Sequence, residues 1–402
     1  MAFSNDYVYL DYAATAPLCE EAAEAMDPYN QPGRANMAVG GNANSLHTPG
    51  RAAFAALEGA RRSIALDLGA SRPDEVVFTS GATEADDAAL IGIAHAAADR
   101  RRREGLAPHV IVSAVEHDAV LAPARRLESE GFSVTRLRPN RQGFIEPRML
   151  EEALQEGTVL VSIQAANSEV GSLQPIADLT RVAHEGGSLM HTDAVQALGK
   201  APICLADLGV DAASFSAHKI GGPKGVGALY LKARTPFEPY MLGGGQESGR
   251  RSSTQNVAGA LGFAAACRAA CGAQESEASR LRVLRDRLYR AFSSIEGIAP
   301  TVDVESGSES FLPNIVHVLA DGLESETLIL RFDMRGFGVS GGSACSSHSL
   351  EPSHVLRALG IDGDRAAGAL RISMGRYTTE HDVDAFIAAI EPCLHWKERT
   401  WN

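Results

Sequence analysis

The runs Ser188-Leu189-Met190-His191-Thr192-Asp193-Ala194-Val195-Gln196 and Asp211-Ala212-Ala213-Ser214-Phe215-Ser216-Ala217-His218-Lys219 follow one pattern. Each is a short apolar stretch, too short for a helix, that runs into a polar cluster. Strands are expected at Ser188–His191 and Asp211–Ser214, and similar runs mark Glu75–Thr79, His109–Ser113, Val159–Gln164 and Val226–Leu231. Amphipathic, Ala-rich stretches separate several of them, at Gly50–Leu68, Thr83–Arg103, Ala119–Glu130 and Ile176–His184. Such alternation predicts a mostly parallel α/β sheet with helices on both faces. Lys224-Gly225, between two strand-like runs, reads as a tight hairpin that adds one antiparallel strand.

Beyond the Ala-rich segment Val257–Ala273 and a charged helix at Glu275–Ser294 the pattern changes. Asn314–Leu319, Phe337–Ser340 and Ala369–Met374 read as strands, with a helix near Glu324–Met334 and another from Thr379. Thr379 and Asp382 have the spacing of a capping box. These elements predict a smaller α+β domain, with a boundary near residue 270.

Composition narrows the class of function. The 402 residues suffice for two domains, and 45% hydrophobic with 22% charged residues is the balance of a globular protein with a sizeable core. Lys plus Arg is 37 against 50 Asp plus Glu, a net charge of −13, which argues against direct nucleic-acid binding. The six cysteines, Cys19, Cys204, Cys267, Cys271, Cys345 and Cys393, have no paired CxxC spacing, which excludes a disulfide scaffold or a four-cysteine zinc module. The start lacks a basic region followed by an apolar run, and Val257–Ala273 is too weakly apolar to span a bilayer. A cytoplasmic, membrane-free protein with free thiols is expected. Lysine occurs only at 200, 219, 224, 232 and 397, so lysine chemistry has five candidates.

Four clusters follow predicted strands, where open α/β sheets place ligands. Thr79-Ser80-Gly81-Ala82-Thr83-Glu84 is a small-residue turn into a helix, able to cradle phosphate on free N–H groups. Turns of this composition also arise for purely conformational reasons. Asp193 ends an apolar strand, where a carboxylate needs a positive or donor partner, or caps the next helix. Lys219 lies among small and apolar neighbours, and desolvation there favours the free amine needed for a Schiff base. Lys200, Lys232 and Lys397 have ordinary contexts, and Lys224 reads as exposed. Cys345 sits in the flexible, polar Gly341-Gly342-Ser343-Ala344-Cys345-Ser346-Ser347, a setting for a mobile nucleophile. Cys267 and Cys271, at i,i+4 without His or carboxylate beside them, read as packing. His117 follows a strand as Thr79 does, and is a catalyst or a satisfied polar group. Arg371 interrupts a strand-like run and faces either a substrate carboxylate or an internal acid. A phosphate cradle, a strand-end Asp, a desolvated Lys and an anion-binding Arg together describe a pyridoxal phosphate site.

The sequence resembles the cysteine desulfurases of the NifS/IscS-like group, in the class V aminotransferase branch of fold-type I pyridoxal phosphate enzymes. The resemblance begins at Tyr9-Leu10-Asp11-Tyr12-Ala13-Ala14-Thr15 and extends nearly to the C-terminus. It rests on Asn44-Ser45-Leu46-His47, Gly81–Glu84, Glu116-His117, Asp193–Gln196, Ser216–Lys219, Gly243–Asn256 and, most specifically, Gly342–Ser347 leading into Leu350–Ser353. It implies a large domain over 17–270, with a seven-stranded type of sheet. A small α+β domain over 1–16 and 271–402 would carry the cysteine loop. Lys219 matches the Schiff-base lysine, His117 the ring-stacking acid/base and Asp193 the partner of the pyridine nitrogen. Ala82, Thr83, Asn167, Gln196, Ser216 and His218 match cofactor contacts, and Thr254 the threonine that reaches the neighbouring subunit's phosphate in an obligatory homodimer. Arg371, Asn44 and Ser168 match substrate-binding positions, and Cys345 the cysteine that receives sulfur.

The implied reaction takes sulfur from L-cysteine, leaves alanine, and passes a Cys345 persulfide to a protein acceptor, for iron–sulfur assembly or tRNA thiolation. Selenocysteine lyase or class V transaminase activity, or a non-catalytic relative, are the alternatives. Several positions depart from the family pattern. Ser168 stands where a second Asn is usual, so either Ser168 or Asn167 meets the ring oxygen. Asp87 and Ala43 replace Asn and Pro, and Ser248 and Ser253 replace Arg and Gly.

Overall fold

The computed structural model describes residues 7–342, 353–361 and 363–395, and places Cys345 and its loop outside the described residues. In chain order the strands are β1 (Val8–Tyr9), β2 (Val76–Thr79), β3 (His109–Ser113), β4 (Ser133–Leu137), β5 (Thr158–Ser162) and β6 (Leu189–Asp193). They continue with β7 (Ala212–Ser216), β8 (Gly227–Leu231), β9 (Ile298–Pro300), β10 (Ile315–Ala320), β11 (Phe337–Gly338) and β12 (Ala369–Ser373). The first helices are α1 (Glu20–Asn30), α2 (Thr48–Asp67), α3 (Ala82–Arg103), α4 (Asp118–Ser129), α5 (Pro147–Ala153) and α6 (Ile176–Glu185). Then follow α7 (Leu205–Leu208), α8 (Val257–Phe292), α9 (Ser325–Asp333), α10 (His354–Ala358), α11 (Gly363–Ala367) and α12 (Glu380–Leu394).

Seven strands form one sheet in the order β2-β8-β7-β6-β5-β3-β4. β8 is antiparallel to both β7 and β2, and the other pairings are parallel. Because side chains alternate across a strand, both faces of these strands are apolar. Val110, Val112, Leu160 and Ala212 enter the core under α3 and α4, while Ile111, Val161 and Ala213 enter the core on the opposite face. β4 has no counterpart among the expected strands. It is the edge strand, half exposed along most of its length, so its sequence lacks the apolar run that marks its neighbours. The tight hairpin expected at Lys224-Gly225 is instead a ten-residue connection holding a short 3-10 turn, Ala217–Ile220. The antiparallel pairing stands, but Lys219 occupies the extra turn.

Three strands, β12-β10-β9, form a second, antiparallel sheet, and β1 pairs with β11 beside it. The Ala-rich segment and the charged helix are one 36-residue helix, α8, capped by the Asn256 side chain on Gly259 N. Its first half packs Ala260, Phe263 and Cys267 into the large-sheet core, and its second half puts Leu284, Leu288 and Phe292 into the small-sheet core. Leu10 shares that second core. The Thr379–Asp382 capping box is present at the start of α12.

Candidate active site

Since β8 runs antiparallel to both β7 and β2, the C-terminal ends of β2, β3, β5, β6 and β7 lie on one edge of the large sheet. A cavity of about 500 Å³ opens there. It is lined by Ala82, Thr83, His117, Ser168, Asp193, Gln196, Ser216, His218, Lys219 and Arg371, with Ala13–Thr15 closing one side. Residues from seven separate places in the sequence therefore converge on one volume.

One end of the cavity is the N-terminus of α3, whose first N–H groups have no intrahelical partner. Gly227, opposite Thr79 and Ser216, permits this turn to approach β8: a Cβ there would stand 2.7 Å from Gly81 C and 2.6 Å from Phe215 O. Glu84 accepts a hydrogen bond from Ser80 N at 2.7 Å and an ion pair from Arg251 at 2.7 Å. The turn is thus tied to the Gly243–Asn256 segment, and the Arg251 guanidinium with these bonds holds the Glu84 carboxyl below its usual range despite burial. Nothing in the sequence singled out Arg251.

Asp193 Oδ1 accepts from Val195 N at 2.9 Å. Burial raises its pKa, opposed by that N–H and by the positive fields of His117 and Lys219. His117 caps α4, its Nδ1 accepting from Ala119 N at 3.1 Å, so Nε2 is the ring nitrogen turned away from the cap. Lys219 Nζ donates to the carbonyls of Ala13 (2.6 Å) and Ala14 (2.8 Å). Gln196 Nε2 donates to the same Ala13 carbonyl at 2.9 Å, and His218 Nδ1 lies 3.1 Å from Thr15 Oγ1. Burial, then the charges of Lys219, Lys200 and Lys224, push His218 down to about 4, so it is neutral.

Arg371 comes from β12 of the small sheet and is 2% exposed. Its Nη2 pairs with Asp11 at 2.8 Å and its Nη1 donates to the Ser168 carbonyl at 3.0 Å, while Nε has no partner. Both sequence readings of Arg371 meet here, since it has an internal acid and also lines the cavity.

Three expected site residues lie elsewhere. Asn167 is buried outside the cavity lining, its Oδ1 accepting from Glu169 N and Val170 N and its Nδ2 donating to Val115 O. Its amide is consumed by the turn, so of the pair only Ser168 lines the cavity. Asn44 and Thr254 are exposed, and Asn44 Nδ2 bonds Gln255 Oε1 at 3.0 Å beside the second of them. Ser248 and Ser253 occupy the same surface segment with φ of 57° and 139°, backbone that favours glycine.

Lys200 corrects another expectation, because its context is not ordinary. Burial first, and Lys219 second, lower its pKa to about 7, and its one contact is Gln196 Oε1 at 3.4 Å. It stands four residues after Gln196 on the far side of the Lys219 wall, lining a separate cavity. Lys224 is exposed, as expected, at the cavity mouth.

The described residues contain no cluster able to hold a metal ion. They also contain no helix long and apolar enough to cross a membrane. A helix N-terminus, a buried carboxylate opposite a lysine, and a buried arginine suit a phosphorylated aromatic aldehyde and an amino acid bound together.

Residues 8–386 match the model of the family described as aminotransferase class-V. The cysteine desulfurase IscS of Dictyoglomus turgidum is 42% identical over 384 residues, covering 96% of this chain and 93% of the relative. Among solved structures, a NifS-like protein aligns with a TM-score of 0.86 at 37% identity, over 96% of this chain and 99% of that one. SspA, solved in complex with cysteine, aligns with a TM-score of 0.77 at 33% identity, over 92% and 100%. Matches that run from β1 into α12 at this identity amount to membership: the chain belongs to the class-V aminotransferase family, as a NifS/IscS-like cysteine desulfurase.

Proposed function

We propose that the protein binds pyridoxal 5′-phosphate and L-cysteine in this cavity, moves the substrate sulfur onto Cys345 as a persulfide, and releases L-alanine. The observation that carries this reading is that Lys219, just after β7 of the large sheet, and Arg371, on β12 of the small one, line one cavity with Asp193 at the end of β6. When bound, the cofactor supplies an electron sink for the charge left at the substrate Cα. Ala82 and Thr83 at the α3 N-terminus, with Ser216 and His218, would hold its phosphate. Asp193 would face the ring nitrogen and His117 the ring, with Gln196 and Ser168 at its edge.

Arg371 orients the substrate through its carboxylate, using a guanidinium already steadied by Asp11 and Ser168. Lys219, whose Nζ donates to two carbonyls, must release them to act as the base at Cα. The Cys345 thiolate then attacks the substrate sulfur. An S–S bond forms as the Cβ–S bond breaks, the electron pair stays on carbon, and protonation completes alanine. Gly342 and Ser353 flank the segment that holds Cys345, and both sit at Glu169, next to Ser168: Ser353 Oγ donates to Glu169 Oε2 at 2.7 Å. Three residues of chain beyond Gly342 reach at most about 10 Å, which supports delivery of Cys345 to the cavity mouth.

Exposed Asn44 and Thr254 share their region of the chain with Leu46 (89% exposed), Leu242 (78%), Met37 (67%) and Phe54 (54%). Apolar exposure on this scale supports a homodimer in which these residues complete the partner subunit's site. The persulfide would leave to a protein acceptor of iron–sulfur assembly or tRNA thiolation.

The test is a single incubation. The protein loaded with cofactor and given L-cysteine alone should form alanine without a keto acid, and one added sulfur atom should map to the Cys345 peptide. Its mass in solution should be twice that of the chain. Alanine formation that depends on a keto acid would overturn the reading in favour of a transaminase. A further result is expected of Arg371→Lys, which keeps the charge but cannot serve Asp11, Ser168 and a carboxylate at once. Losing one charge-assisted bond should raise KM for cysteine by about 10- to 100-fold, with a smaller change in kcat.

A further inference from the structure

Asp86 has no part in the chemistry above. It lies on the second turn of α3, 1% exposed, against the floor of the cavity. Neither of its carboxyl oxygens makes a hydrogen bond of normal geometry, and the one donor close by, the Ser214 hydroxyl, is outweighed by burial. The groups that face it are Asp193 and His191 from β6, Ser214 from β7, Glu116 from the turn after β3, and Asp87 from its own helix. His191 is the one that could carry positive charge, with Nε2 3.6 Å from Asp86 Oδ1. Its ring is already engaged, by Nδ1 with Ser162 Oγ at 2.8 Å and by Nε2 with Ser214 Oγ at 3.0 Å. Burial also lowers its pKa to about 3, so it stays neutral. An ionised Asp86 would be a buried charge with no counterion and with Asp193 beside it.

Two neighbouring buried carboxyls do not both ionise readily, and the one with more donors takes the charge. Asp193 has the Val195 N–H and the fields of His117 and Lys219, none of which acts on Asp86. We propose that Asp86 is a neutral carboxylic acid at neutral pH and a positioning residue for Asp193, which is thereby left as the ionised member of the pair, facing the cofactor's ring nitrogen. The part concerning the ring nitrogen rests on the function proposed above; the protonation of Asp86 does not. Burial and the Asp193 charge push the Asp86 carboxyl well above the usual carboxylate range, in the direction this requires. Glu116, whose Oε1 accepts from Ser113 Oγ and Gln164 N, is raised to about 8 by burial and adds no cation to the cluster.

Infrared difference spectroscopy of the cofactor-free protein tests the first half without any reference to catalysis. A protonated-carboxyl carbonyl stretch, shifted by 13C-labelled aspartate, should persist across neutral pH and vanish in Asp86→Asn. If wild-type protein shows no aspartate-derived stretch, Asp86 is ionised and the proposal fails, whether or not the variant folds. The second half is read from the pH midpoint of the holoenzyme's visible absorbance. Asp86→Ala, which opens the floor, should shift the midpoint, and Asp86→Asn, an isostere of the neutral acid, should restore the wild-type value. An ionised Asp86 gives the opposite result: Asn fails to rescue, and both variants move the midpoint together by about one pH unit. Loss of desulfurase activity with these spectra unchanged would count against the proposed function instead.

Discussion

Lys219→Ala protein is expected to turn over L-cysteine about 10²- to 10⁴-fold more slowly than wild type, the loss that follows removal of an essential acid/base group. Among the described residues no other amine can stand in. Lys224 is exposed at the mouth, Lys232 bonds the Gly209 carbonyl on the surface, and Lys200 lies behind the wall that Lys219 forms. The fold should survive the change. The Ala13–Thr15 segment that Lys219 clasps is also held by Gln196 on Ala13 O and His218 on Thr15, and by Ala13 N on Ser373 Oγ. Lys219→Arg is the informative companion, because a guanidinium keeps the donors to the two carbonyls but forms no covalent bond to an aldehyde. Both variants should lose the visible absorbance near ~400–420 nm that a lysine-bound cofactor gives. Either variant with wild-type absorbance and turnover would remove Lys219 from the mechanism.

Cys345→Ser should separate the two halves of the reaction. A serine hydroxyl fills the same space but is a far weaker nucleophile toward sulfur, because at neutral pH it supplies almost no anion. Cofactor absorbance and cysteine binding should therefore match wild type, since Asp193 ends β6, Lys219 follows β7 and Arg371 lies on β12, none of them on this loop. Sulfide release in the presence of a reductant should fall by about 10³-fold or more, on the scale of losing a covalent nucleophile. Persulfide on any other cysteine should be absent. Cys19, Cys267 and Cys393 are buried, the Cys267 and Cys271 thiols face each other at 4.0 Å within α8, and neither these nor half-buried Cys204 line the cavity. Full sulfide release by the variant would show that sulfur leaves by a route that does not use Cys345.

Most of the cavity was legible because its residues stand directly after strands. Thr83, His117, Asp193 and Lys219 each follow a buried run by a few positions, and a parallel sheet brings such ends to one edge. Where two neighbours compete for one role, local pattern is silent. Asn167 and Ser168 differ by one position, and the backbone turn at Val170 decides which of them the cavity meets. Asn44 and Thr254 were equally beyond reach as to place, since their position depends on a surface and not on a strand end.

Lys200 and Asp86 show the opposite failure. Each sits in a plain context, Lys200 in a Gly-Lys-Ala turn and Asp86 in an acidic run, Glu84-Ala85-Asp86-Asp87, that resembles a solvated helix start. α3 lays Asp86 against β6 and β7, where it faces Asp193 rather than water. Titration depends on that neighbourhood, and distant parts of the chain make up the neighbourhood.

By itself, the sequence determined the alternation of strands and helices, the order in which polar clusters end them, and the identity of the lysine that closes an apolar strand among small residues. Those features are local: periodicity, turn chemistry and residue type are written in adjacent positions. Only the tertiary structure decided that Arg371, more than 150 residues beyond Lys219 in the chain, enters the same cavity, and that Lys200 stands half-buried behind it. It alone also left Asp86 without a hydrogen bond of normal geometry beneath the cavity. Burial and the field at a carboxyl or amine are sums over groups that folding brings near, and no window along the chain contains them.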